Sequence, residues 1–161
     1  MNGDHGLLQQ VFLNMLINAR DAVLDGGTEA PDIHIDARTV QPSELPEAGD
    51  VAANEEACVE IAITDNGMGM DHETQRRMFE PFYTTKPVDR GTGLGLSTVY
   101  GIVTLFQGRV TCDSKPGSGT TFRVYLPPGE DQDVTEKQPP TPETVSAPGC
   151  TVLIIDDEHC A

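Results

Sequence analysis

Two glycine-rich runs set the terms for this chain: Asp-Asn-Gly-Met-Gly-Met at 65–70 and Gly-Thr-Gly-Leu-Gly-Leu-Ser at 91–97. Glycine lets the main chain pass closer to a neighbour or ligand than any other residue does. The first run follows residues 58–64 (Cys-Val-Glu-Ile-Ala-Ile-Thr), whose alternation predicts a strand. The second opens directly into residues 94–106, which suit a helix. Such turns leave backbone amides exposed to an anion, and a helix N-terminus adds its dipole, so together they favour phosphate.

The spacing also excludes two familiar phosphate sites. A dinucleotide fingerprint needs Gly-x-Gly-x-x-Gly after a strand, whereas here Gly91, Gly93 and Gly95 alternate and a long loop precedes them. No Gly-Lys-Ser/Thr ending follows, so this is not a Walker loop.

Upstream, a helix is expected from an N-cap at Asp4 to about Leu24, with Gly26-Gly27 as its stop. Leu8, Val11, Phe12, Met15, Ala19 and Ala22 form one apolar face, and Asn14, Asn18 and Asp21 form a polar stripe beside it. Asn14 and Asn18 sit one turn apart on the same face. Their carbonyl oxygens suit a hard cation such as magnesium and add no charge to repel a triphosphate. Two solvated polar residues remain the alternative. Asp65, at a strand end, can accept a hydrogen bond from an exocyclic amine, with Gly67 and Gly69 letting the backbone run close to a base; a plain Asp-Asn-Gly turn is the competing reading. Taken together, the runs are those of a chain built to hold a magnesium–nucleotide complex.

The formal net charge of −16 argues against nucleic acid or an anionic membrane as the main partner. Arg76, Arg77, Lys86 and Arg90 nevertheless cluster before the second glycine run, where a phosphate would want them. Residues 79–86 (Phe-Glu-Pro-Phe-Tyr-Thr-Thr-Lys) combine apolar anchors with a basic end, as a lid would, with Lys86 nearing the phosphates. A hydrophobic loop packed on the core is the alternative. The Gly117-Ser118-Gly119-Thr120 turn between two further strands, 108–113 and 120–126, is expected to present Thr120 to the base pocket.

Cysteines 58, 112, 150 and 160 match neither a zinc spacing nor a compact disulfide framework, and are expected to be thiols in a reducing cytoplasm. His5, His34, His72 and His159 lack partners at useful spacing and are read as non-catalytic. No apolar run approaches the ~20 residues needed to span a bilayer. Residues 127–149 carry six prolines and five acids against one lysine, an extended linker by composition. Thr151 to Ile155 then forms an apolar strand-like run ending in Asp156 and Asp157.

With these motifs in view, residues 4–127 resemble the catalytic ATP-binding domain of two-component sensor histidine kinases, of the GHKL (Bergerat-fold) superfamily. Residues 10–19 resemble its N box, 65–70 its first glycine box, 79–82 its F box, 91–97 its second glycine box and 117–120 its third. The runs at 18–22 and 82–86 resemble the nitrogen-regulation-like and hybrid kinases in particular. The resemblance implies a two-layer α/β (α+β) sandwich, a mixed β-sheet with helices on one face. It implies ATP and Mg2+ as cofactors. Asn14 and Asn18 would hold the metal and serve the catalysis; Asp65 would read adenine with Gly67, Gly69 and Thr120 nearby. Gly91, Thr92, Gly93, Leu94, Gly95 and Leu96 would wrap the phosphates, and Lys86 is added to them on charge and placement.

The implied organisation is a catalytic domain at 1–127, a linker at 128–150 and the start of a receiver domain at 151–161, in which Asp156 and Asp157 would help bind magnesium. The implied function is transfer of the γ-phosphoryl of ATP to a histidine on a dimerisation domain, with a receiver domain or response regulator downstream and a homodimeric parent. That histidine sits upstream of the N box in the family, and His5 lacks its surrounding motif, so this chain is expected to bind ATP without phosphorylating itself. The alternatives are a GHKL ATPase, which carries a glutamate base where this chain has Asn14, and a non-catalytic nucleotide-binding module.

Overall fold

The computed structural model describes residues 5–41, 44, 57–87 and 91–128. Asp4, Arg90, Asp156 and Asp157, most of the expected linker and the expected receiver start lie outside the described residues.

Helix α1 spans His5–Asp25, and Gly27 beyond it has a positive φ of 61°. Its apolar stripe buries Val11, Met15, Ala19 and Val23. Val23 is the core residue that the expected face omits. It continues the four-residue steps from Met15, whereas Ala22 is only half-buried. Strand β1 (Ile33–Val40) pairs with β2 (Cys58–Asp65), and β3 (Arg109–Lys115) forms a hairpin with β4 (Gly119–Leu126). Between β2 and the hairpin lie α2 (His72–Arg77), capped by Asp71 accepting from the Thr74 amide at 2.7 Å, and α3 (Gly95–Leu105).

The sheet order is β1-β2-β4-β3. All three pairings are antiparallel, so no parallel pair of the expected mixed sheet lies among the described residues. The cause is topological: β3 and β4 join through a tight turn, and it is the second hairpin strand, β4, that inserts beside β2. Strand β1 continues to Val40 along β2: Arg38 meets Glu60 across the ladder at 2.8 Å and Val40 faces Cys58.

Helices α1 and α3 pack on the sheet. Val11, Met15 and Ala19 meet Val99, Ile102 and Val103 over Ile63, Phe122 and Val124. Each fully buried aliphatic side chain here contributes roughly 2 kcal/mol of transfer free energy. Other strand positions carry charge and hydroxyl instead: Arg38 pairs with Glu60, Thr64 with Thr121 at 3.0 Å, and Arg123 with Asp113. The helices therefore cover one face, as expected, and they bring α1, the end of β2 and the start of α3 to one side of the molecule.

Candidate functional site

The end of β2 buries a carboxylate. Asp65 is only 4% exposed. Its Oδ1 accepts from the Gly67 amide at 2.9 Å. Burial pushes its carboxyl above the ordinary aspartate range, and hydrogen bonds from the Gly67 and Thr120 backbone pull it part of the way back. Thr120, also buried, lies directly opposite on β4.

The glycines around Asp65 are placed by sterics. A Cβ on Gly67 would meet the Ala22 carbonyl oxygen at 2.5 Å, where α1 passes behind the turn. Gly69 has φ +67°, and a Cβ there would overlap the Lys115 carbonyl. That contact belongs to a network joining the first glycine run to the β3–β4 turn. The Gly117 amide donates to Met68 O at 2.8 Å, and the Met70 amide donates to Ser114 Oγ at 2.8 Å. Gln75 Nε2 donates to both Met70 O and Ser114 O at 3.0 Å. Ser114 Oγ also lies 2.9 Å from Thr120 Oγ1. Ser114 and Gln75 are the residues that the sequence reading missed. The available signal was that Ser114 falls directly opposite Thr120 once the turn is placed.

The other end is built from α1, the lid segment and the start of α3. Asn14 Nδ2 donates to Gly95 O at 3.4 Å, so the first asparagine touches the second glycine run. Asn18 Oδ1 accepts from Lys86 Nζ at 3.3 Å, and the same ammonium lies 2.6 Å from Asp21 Oδ2. Lys86 thus reaches the asparagine stripe across 68 residues of sequence. The lid meets the glycine run through its backbone. The Phe82 amide donates to Gly93 O at 2.9 Å, and a Cβ on Gly93 would overlap the Phe82 main chain. Phe82 itself has φ +67°, a left-handed conformation that costs a non-glycine residue about 1–2 kcal/mol.

Helix α3 begins without a side-chain cap: Leu94 at its N-cap makes no capping hydrogen bond. Its first residue, Gly95, lies beside both asparagines: Asn14 donates to its carbonyl, and a Cβ on it would lie 3.9 Å from Asn18 Nδ2. Thr92 Oγ1 accepts from the Leu94 amide at 3.4 Å. Leu94 is exposed, whereas Leu96 packs against the core and commits its side chain there. Gly91 sits against Thr84 and the stem of Lys86.

The expected cation cluster is only partly gathered. Arg77 is held by Glu80 at 3.1 Å and lies 4.3 Å over the Tyr83 ring, so its charge serves the α2–lid junction. Lys86 is the described member that the structure ties to the asparagines. Among the described histidines, His34 pairs with Asp36 at 3.0 Å and lies opposite Thr64 in the β1–β2 ladder. Neither Cys58 nor Cys112 is in a disulfide, and burial pushes the Cys112 thiol up to about 12.

An open cleft of about 350 Å³ is lined by Thr64, Asp65, Gln75, Ser114, Thr120 and Thr121 among others. It reaches the Asp65–Thr120 pair but none of Asn14, Asn18 or Gly91–Gly95. Chemically, the arrangement offers a buried carboxylate acceptor at one end. At the other it offers a neutral oxygen already holding a cation and an uncapped helix start suited to an anion.

Against known proteins, residues 3–130 match the family described as histidine kinase-, DNA gyrase B-, and HSP90-like ATPase. The sensor kinase CckA of Brucella abortus (strain 2308) is 36% identical over 169 residues, covering 98% of this chain and 17% of that protein. The signal transduction histidine-protein kinase AtoS of Escherichia coli (strain K12) is 39% identical over 127 residues, covering 79% of this chain and 18% of that protein. The chain thus spans less than a fifth of the length of either relative. Among solved structures, the mycobacterial sensor histidine kinase MprB aligns with TM-score 0.55 and 26% identity over 78% of this chain and 72% of that one. Full-length ShkA in complex with AMPPNP aligns with TM-score 0.56 and 27% identity over 77% of this chain and 22% of that one.

Proposed function

Because this chain belongs to the histidine kinase-, DNA gyrase B-, and HSP90-like ATPase family, we propose that it binds Mg-ATP and presents the γ-phosphoryl group to a histidine on a dimerisation domain in two-component signalling. The observation that carries the kinase reading over a hydrolase is the chemistry at Asn14. A water-activating base is wanted one turn before the second asparagine, and an amide that cannot take a proton stands there, bonded to Gly95 O. The nearby carboxylate on the same stripe, Asp21, is engaged by Lys86 and Arg20.

The residues fit the nucleotide. Asp65 is a buried acceptor suited to the exocyclic amine of adenine. The close packing at Gly67 and Gly69 fixes its turn, and Thr120 completes that end. Asn18 Oδ1 already receives a cation, the Lys86 ammonium, which stands in for a metal. The backbone at Gly91, Thr92, Gly93, Leu94, Gly95 and Leu96 and the uncapped α3 start would receive the phosphates, with Lys86 as a further contact. Bound magnesium would supply charge neutralisation for the transferring phosphoryl group. The chain's own work is to orient the triphosphate and to keep water unactivated.

The family match ends at residue 130, and the likeness to the CckA protein runs over nearly the whole chain. That extent agrees with a catalytic domain at 1–127; a linker at 128–150, a receiver start at 151–161 with Asp156 and Asp157 as its acidic pair, and a hybrid, homodimeric parent complete the proposal. Action in the cytoplasm is part of this proposal; no helix among the described residues is long and apolar enough to cross a membrane.

The test mixes this chain with a separately made dimerisation–phosphoacceptor domain and γ-labelled ATP. Phosphohistidine is expected on the added domain and none on this chain. Steady ATP hydrolysis by this chain alone, lost in Asn14→Ala, would reverse the ranking in favour of an ATPase.

A further inference from the structure

Lys86 does something the nucleotide reading does not require: it is held by α1. Its ammonium lies 2.6 Å from Asp21 and 3.3 Å from Asn18, and the Lys86 and Asp21 side chains are only 25% and 21% exposed. Asn18 and Asp21 are three residues apart, so one helix face presents both. A divalent ion sits about 2.1 Å from an oxygen ligand. It cannot share the Asn18 oxygen with an ammonium already there, because the two cations repel.

Asp21 is also built to survive the loss of Lys86. Its other oxygen, Oδ1, accepts from Arg20 Nη2 at 2.8 Å and from Nε at 3.1 Å, so the carboxylate keeps a counter-charge when the lysine leaves. An ammonium leaving Asn18 has a short way to go, since the Lys86 stem already lies against Gly91 at the start of the second glycine run.

We propose that Asp21 is a positioning residue for the lid: it parks the Lys86 ammonium on Asn18 in the nucleotide-free chain, and Mg-ATP displaces that ammonium onto its own phosphates. Asp21 and magnesium thereby compete for the state of the lid, and the triphosphate is the competitor's payload. This rests on the nucleotide reading above for its second half only.

The test is a brief pulse of acetic anhydride on the full chain, with acylation at Lys86 read by mass spectrometry and Lys115 as the internal reference. In the absence of nucleotide, Asp21→Asn raises Lys86 acylation about fivefold, the scale set by loss of a partly shielded ion pair. With saturating Mg-ATP, Lys86 is protected equally in wild type and Asp21→Asn, because phosphate has replaced the carboxylate. Lys86→Gln weakens Mg-ATP binding by calorimetry about tenfold, as loss of one charge-assisted contact implies.

Three results would overturn the proposal: equal Lys86 acylation in wild type and Asp21→Asn without nucleotide, wild-type Lys86 made more reactive by Mg-ATP, or unchanged Mg-ATP affinity in Lys86→Gln. Calorimetry separates the two ideas. Normal Mg-ATP binding with no effect of Asp21→Asn on acylation sinks the parking role and leaves the nucleotide reading standing. No Mg-ATP binding at all sinks the nucleotide reading and the hand-over with it.

Discussion

The two ends of the site are held in different ways. Around Asp65, the first glycine run and the β3–β4 turn are joined by bonds of 2.8–3.0 Å through Gly117, Met70, Ser114 and Gln75. Backbone is packed so closely that two glycines have no room for a methyl group. Around Asn14 and Asn18, the asparagines themselves make only side-chain bonds of 3.3–3.4 Å; the short contacts there, Lys86 to Asp21 at 2.6 Å and Phe82 to Gly93 at 2.9 Å, belong to the lid, one of whose residues is held in an unfavourable conformation. One end is finished before a ligand arrives. The other is a provisional arrangement that a ligand's charge can rebuild. A base needs shape, which must exist beforehand, whereas a triphosphate brings enough charge to reorganise what it meets.

The sharpest way to break that contrast is the same substitution at each end. Gly69→Ala places a methyl group on the Lys115 carbonyl at a φ of +67°, and is expected to cost about 3–5 kcal/mol of stability. Gly95→Ala meets nothing nearer than Asn18 Nδ2 at 3.9 Å. As a helix residue it is expected to be neutral or stabilising by up to about 1 kcal/mol. Urea unfolding of both variants measures the difference, and equal costs would mean that the two ends are equally rigid.

Next in size is Asp65→Asn. An amide in place of the carboxylate keeps the shape but weakens acceptance from an amine, so Mg-ATP affinity is expected to fall about 100-fold, the scale of a buried charged hydrogen bond. Stability at pH 7 should not fall with it. The folded carboxyl titrates above its ordinary value, so the native state binds the proton more tightly than the unfolded chain does. Its stabilising contribution is therefore present below the unfolded pKa and lost as pH rises through the folded one. Asp65→Asn should flatten the acid-side stability profile in that window. Wild-type affinity should in turn begin to fall at a higher pH than an ordinary aspartate would give, because the ionised acceptor is lost there. Calorimetry across pH 4–8 with parallel thermal melts checks both. An affinity profile unchanged by the substitution would remove Asp65 from the site.

The contrast also explains what could be read from sequence. The helices and strands were legible to within a few residues, because apolar periodicity and glycine stops are local signals. The turn that carries Asp65 and its glycines was legible for the same reason, since the strand that it ends lies directly before it. What holds them was not. Ser114 and Gln75 act across the sheet end, and their roles appear only once Met70 and the turn are brought together. Lys86 could be assigned to the lid by charge, but its pairing with Asp21 spans 65 residues. Arg77 looked like a phosphate ligand by the same charge argument and is instead consumed by Glu80 and Tyr83. Composition shows where charges are plentiful, and packing decides which of them remain available.

The smallest effect is also the most discriminating. Two non-glycine residues in the described chain have positive φ: Phe82 at +67° and Gln107 at +57°. Gln107 follows α3, and the bonds from its own amide and that of Gly108 to Thr104 and Val103 mark a helix C-terminal cap. Gln107→Gly should stabilise by about 0.5–1 kcal/mol, since glycine is the residue such a cap favours. Phe82 is 75% exposed, so its ring adds little by burial, and Phe82→Gly removes similar backbone strain. It also frees the lid in the unfolded and nucleotide-free chain alike, which offsets the gain and leaves a net change under about 0.5 kcal/mol. If the lid is the provisional end, Phe82→Gly should speed amide hydrogen exchange at residues 83–86 with little change in melting temperature. Gln107→Gly should raise the melting temperature and leave that exchange alone. A Phe82→Gly variant as slow to exchange as wild type would mean that the lid is fixed as firmly as the Asp65 end, and that its strain is stored in a rigid element.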